Sequence, residues 1–234
     1  MIIRLLWLNE EPKSKYYMWF KKKINPYKIK ENNTKELISI GVKVSMGLPI
    51  LDKANFRRSK DVAERMMVSL ALFQLHLGAP IKTIEDWIEK NNLIGKLTNK
   101  ETKYLHTNYE DLPEQDQIDL YWYIEAVWAF AWAGNLHENL TLNTGVEDSL
   151  ASMLPNIQDG ELALVFIQKY RLRQDITIFE MLDKFYRAHW YARSIKLKGK
   201  QSDFVDLDII MERRKTLEFI CYSEFEWNEI SLDT

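Results

Sequence analysis

Between Ile118 and Ala133 the chain carries apolar side chains on nearly every side of a helix, with Trp122, Trp128 and Trp132 among them. A helix without a polar face is stable only when other helices surround it, so this segment predicts the middle of a bundle. Pro113 opens it with a backbone angle suited to a first turn. Glu114 and Asp116 follow where the helix dipole favours acids. The expected span, Pro113 to about Ala133, makes this the longest helix of the chain.

Other helices follow from apolar periodicity. Val62, Met66, Leu70, Phe73 and Leu77 form a 3.6-residue stripe starting at Ser59 and stopped by Gly78 and Pro80. Asp61 and Arg65, at i and i+4, support it as a local pair. Thr83-Ile84-Glu85-Asp86 and Thr98-Asn99-Lys100-Glu101 have the form of capping boxes, opening helices to about Lys90 and Thr107. Further helices are expected at 159–170, 176–197 and 207–222, after a looser stretch at 135–156. Nearer the N-terminus the spacing predicts a short basic helix over Lys13–Lys23, a short helix over 34–40 stopped by Gly41, and an extended segment at 42–51. The expected fold is all-α: a single multi-helix, bundle-like domain over residues 57–234, behind a mixed or extended N-terminal segment over residues 1–56.

The 234 residues are enough to bury roughly 70–75% of the extended-chain surface without disulfide or metal staples. Cys221 is the single cysteine, which excludes an internal disulfide and a cysteine-rich zinc site; among Phe219, Ile220 and Tyr222 it reads as a buried thiol. His76, His106, His137 and His189 show no metal-ligand spacing, so no metal is expected. No Gly-rich phosphate loop and no Gly-x-Ser-x-Gly elbow occurs, and no cofactor is expected. Residues 13–30 carry seven lysines and no acid, but the net charge of −2 argues against nucleic acid as the partner. Met1–Leu8 is too short for a signal peptide and no stretch is long enough for a membrane span, so a cytoplasmic protein is expected.

The unusual chemistry lies in the C-terminal third. Tyr186, His189, Trp190 and Arg193 share one helix face, at offsets 0, 3, 4 and 7. A face both aromatic and cationic calls for a partner. Glu125 stands among the tryptophans of the buried helix, where a carboxylate must be paired or protonated. It reads either as a tuned acid or base or as the partner of an arginine from another helix. Glu212-Arg213-Arg214 supplies arginines on an apolar stripe, so at least one guanidinium is expected to point inward. Its best partner is Glu125, with Asp183 next; Asp183 has a local alternative in Arg187. His189 is the sharpest catalytic candidate because it titrates near neutrality. The candidate cluster is thus Glu125, Asp183, Tyr186, His189, Trp190, Arg193, Glu212, Arg213 and Arg214.

Several ordered segments carry a resemblance: Arg58-Ser59-Lys60 with Ala63-Glu64-Arg65, Trp122-Tyr123-Ile124-Glu125-Ala126 with Trp132-Ala133, Leu172-Arg173, Tyr186 to Trp190, Glu212 to Leu217, and the terminal Trp227, Asp233 and Thr234. Together, from about Asn33 to Thr234, they resemble the bacterial family called domain of unknown function 4272. The resemblance implies a soluble, mostly helical, bacterial cytoplasmic protein, and no activity. Two positions depart from the family pattern: Tyr123, where an arginine is expected, and Gly134, where leucine is usual. The first removes a cation near Glu125.

The absent catalytic motifs, the aromatic wealth and the acidic C-terminal tail favour a non-enzymatic protein-interaction module, of inhibitor or immunity type, with another protein as partner. The alternative is a small-molecule or nucleotide site, enzymatic or not, where Glu125, Tyr186, His189, Arg193 and Arg213 meet.

Overall fold

The computed structural model describes residues 23–233. The basic helix expected over Lys13–Lys23 lies, but for Lys23, outside the described residues. The described chain forms α1 (Pro26–Ser39), α2 (Ser59–His76), α3 (Ile81–Lys90), α4 (Asn99–Tyr104), α5 (Glu114–Ala133), α6 (Ala163–Lys169), α7 (Asp175–Lys196) and α8 (Leu207–Cys221). Short 3-10 turns join them at Ile94–Lys96, Tyr109–Asp111 and Asp148–Met153. Among the described residues there is no sheet; Asn55 and Tyr222 form an isolated parallel bridge. The fold is all-α.

The helices stack in the order α2, α5, α8, α7, α1, and α3 and α6 pack on α2. α5 lies between α2 and α8, as its all-round apolar sequence requires: every residue from Glu125 to Ala133 is buried. Ala126, Ala129, Ala131 and Ala133 keep its surface low, so that neighbouring helices come close; Trp128, Phe130 and Trp132 fill the remaining space.

Three helix starts differ from the sequence expectation by two residues or more. α1 starts at Pro26 rather than residue 34, because Pro26 stands in its first turn, where a proline suits a helix. Asn25 is the cap, its Oδ1 accepting from the Lys28 amide at 3.2 Å. α1 ends where Gly41 takes φ +92°, and its Leu37, with Val42, Val44 and Leu48 beyond, joins the common core. α3 begins at Ile81, two residues before the expected Thr83 cap, because Pro80 already sets the entry. α6 starts only at Ala163. Residues 156–161 close into a turn instead, with Gly160 at φ +69° and the Asn156 amide donating to Glu161 Oε2 at 2.9 Å. α7, with 22 residues, is longer than the 20-residue α5. The 42–51 segment is irregular and pairs with no strand. Among the described residues no helix is long and apolar enough to cross a membrane.

Candidate functional site

Four arginines lie buried in the helix stack, and each holds a carboxylate. Arg213 is fully buried on α8. Its Nε donates to Glu125 Oε2 at 2.8 Å, its Nη1 to the Thr141 carbonyl at 2.7 Å and its Nη2 to the Thr144 carbonyl at 2.8 Å. The pair therefore ties the loop after α5 to both α5 and α8. Burial pushes the Glu125 carboxyl up and the Arg213 guanidinium down, outweighing the pull of each on the other. Arg187, also fully buried, grips Asp183 one turn earlier on α7 with both Nε (2.8 Å) and Nη2 (2.6 Å). Asn33 of α1 donates to the same carboxylate at 2.9 Å. Of the two partners open to Asp183, the local one is realised.

Arg214 is buried as well and serves the aromatic face of α7. Its Nη1 donates to His189 Nδ1 at 2.7 Å, Nε and Nη2 reach Glu218 Oε1 at 3.2 Å, and the guanidinium lies 4.9 Å over the Tyr186 ring. Arginine has no lone pair to offer, so His189 Nδ1 is the acceptor and its proton sits on Nε2. Burial, then the charges of Arg214 and Arg193, hold the His189 imidazole down at about 4. It is neutral at physiological pH and already engaged. Trp190 is half-buried against the core and Arg193 is exposed. The face read as one unit is therefore divided: Tyr186 and His189 turn to α8, while Arg193 turns to solvent.

Neither Glu218 as the partner of Arg214 nor the fourth pair follows from the sequence reading. Arg65 of α2 does not pair with Asp61, which Arg58 holds at 2.7 Å. Instead it forms a two-pronged bridge to Glu101, Nη1 to Oε2 at 3.0 Å and Nη2 to Oε1 at 2.7 Å. Glu101 also accepts from the Thr98 amide at 2.8 Å, completing the capping box of α4, and from the Tyr123 hydroxyl. Burial works to raise the Glu101 carboxyl, but the Arg65 charge and these hydrogen bonds hold it below the usual range. The capping box was the available signal; that its glutamate serves a second helix was not.

Two nearby groups complete this region. Lys215 Nζ lies 4.6 Å from the Trp227 ring centroid and Arg65 4.9 Å, so both cations meet the same indole. Glu212, half-buried one turn before Lys215, receives no hydrogen bond on its carboxylate among the described residues; burial raises it to about 7. Among the described residues no group of three His, Cys, Asp or Glu side chains could hold a metal ion.

The segments that carried the resemblance now meet one another. Ser59 Oγ accepts from the Leu172 amide, Arg173 donates to the Trp132 carbonyl at 2.7 Å, and Glu125 binds Arg213. Residues 29–230 match the family model described as Domain of unknown function (DUF4272). The chain belongs to that family. No curated protein and no solved structure matches it. Tyr123 and Gly134, the two positions expected to depart from the family pattern, each have a local counterpart in the packing. Tyr123 turns to Glu101 rather than to Glu125. Gly134 leaves room for Tyr170: a Cβ there would lie 2.1 Å from the Tyr170 ring, whose hydroxyl donates to the Phe130 carbonyl at 2.7 Å.

Proposed function

We propose that the chain is a non-enzymatic protein-binding module of the masking type, an inhibitor or immunity-type partner of another protein. One observation carries this reading: the buried arginines and His189 are engaged internally. Arg65, Arg187, Arg213 and Arg214 each hold a carboxylate, and His189 is held by Arg214. Groups so engaged fix helix positions, whereas binding needs surface. On that surface Leu162, Leu164 and Val165 stand about half-exposed within four residues, and exposed apolar groups of this kind mark interaction sites. A bacterial cytoplasmic setting is part of the proposal; the lone buried Cys221 suits a reducing compartment.

Quantitative affinity capture of the tagged full chain from its source cells tests this, followed by rebinding of the purified components. One protein at near-equal stoichiometry, binding at micromolar or tighter affinity, is expected. Recovery of no stoichiometric protein sinks the proposal.

A second reading, a small-molecule or nucleotide site, has one observation in its favour. The Glu212 carboxyl is held near neutrality beside Lys215, a pairing able to move a proton. A ligand at a hundred times its dissociation constant adds about 2.7 kcal/mol, so a thermal-shift screen detects it. A flat response to metabolites, nucleotides and phosphate removes this reading.

A further inference from the structure

A groove of about 470 Å³ runs between α2, α5 and the segment that follows Gly145. Leu70, Phe73 and Leu77 form its α2 wall at helical spacing, Ile124 comes from α5, and Leu154 and Pro155 form the opposite wall. Its charged lining groups are Glu147 and Asp148, both exposed, and neither is in an ion pair among the described residues. From Glu138 to Gln168 the chain carries five acids and no lysine or arginine. The groove is therefore apolar at its floor and anionic at its rim.

We propose that this groove is the docking surface of the module, and that it takes an amphipathic partner helix whose apolar face is flanked by lysine or arginine. The proposal rests on the protein-binding reading above. Three features select this occupant. A trough between a helix wall and an irregular wall accepts a helix through apolar anchors one turn apart. Small-molecule sites converge several placed polar groups on the ligand, whereas this lining offers charge at one rim only. Exposed carboxylates with no ion pair among the described residues, beside an apolar floor, reward cations on the incoming helix and repel acids. Leu77, 61% exposed at the end of α2, is the group such a helix would cover.

The probes are two synthetic helical peptides of equal length with the same leucine face, one flanked by lysines and the other by glutamates. Fluorescence anisotropy reads their binding to the full chain, to Leu77→Lys and to Glu147→Lys/Asp148→Lys. Saturable binding of the lysine peptide alone is expected, weakened roughly tenfold or more by either variant at unchanged melting temperature, in line with the loss of a hot-spot contact. Equal binding of both peptides, or lysine-peptide binding that neither variant weakens, overturns the proposal. If Leu77→Lys does not fold, the charge-reversed variant at two exposed positions still decides. Sedimentation showing a dimer that Leu77→Lys disperses would assign the groove to a second copy and overturn the partner helix. Repeating the affinity capture with the variants separates the two ideas. A partner retained equally by wild type and variants removes the groove and leaves the module; no partner on wild type removes the module itself.

Discussion

At the scale of single residues, charge and burial work against each other in ways that pH can expose. His189 is held below its ordinary value, at about 4, by burial and by two arginines. Its contribution to stability is full above the unfolded value near 6.5 and is lost as pH falls toward 4, about 3 kcal/mol in total. Glu212 acts in the opposite sense. Raised to about 7, its contribution is full below the unfolded value of 4.5 and is lost as pH rises from there to 7. The two slopes oppose each other over the shared range, so wild type should show a nearly flat profile there. Urea unfolding from pH 4 to 8 should show Glu212→Gln gaining about 1–3 kcal/mol at pH 8 while keeping the acid-side loss. An unchanged stability at pH 8 would mean that solvent already screens the carboxylate. Arg65→Met leaves Glu101 charged and buried without its partner, and should cost about 3–5 kcal/mol at neutral pH. A loss under about 1 kcal/mol would show that the Thr98 amide and the Tyr123 hydroxyl suffice.

At the scale of elements, short pieces of structure depend on contacts from elsewhere. α4 has only six residues, too few to stand alone, and is held because its capping glutamate is also the anchor of Arg65. The end of α5 is fastened by Tyr170 and Arg173, which donate to the Phe130 and Trp132 carbonyls of its last turn beside the Gly134 and Asn135 amides. Gly134→Ala should therefore destabilise by about 1–3 kcal/mol through collision with the Tyr170 ring. Placing it on a Tyr170→Leu background should recover part of that loss in a double-mutant cycle. Strict additivity would place the ring clear of Gly134. The C-terminal segment, which reads from sequence as an acidic tail, is fastened by Trp227. Its indole is buried against Phe130 and Phe219 at 5.9 and 5.5 Å.

At the scale of the whole molecule, Arg65–Glu101 and Arg213–Glu125 join helices far apart in sequence, and α1 is fastened to α7 by Asn33 and Asp183. The described part of the N-terminal segment should then unfold with the rest. Native-state hydrogen exchange should show the Val42 amide, which donates to the Leu37 carbonyl, as slow as amides in the middle of α8. Much faster exchange in α1 would mark it as a separate unit. The sequence by itself determined the all-α class, the central place of α5, the α4 capping box and the inward turn of an arginine on α8. Each follows from periodicity or from a local rule acting within one or two helical turns. Glu125 was also a marked carboxylate, because a charge among three tryptophans admits few fates. Only the tertiary structure decided which cation meets which acid. Arg65 passes over Asp61, four residues away, for Glu101, 36 residues on; Arg213 reaches Glu125 across 88. Sequence spacing ranks partners by proximity along one helix. A buried guanidinium instead pairs where packing removes water and holds a carboxylate in its plane, and that place is set by the stacking of all the helices at once.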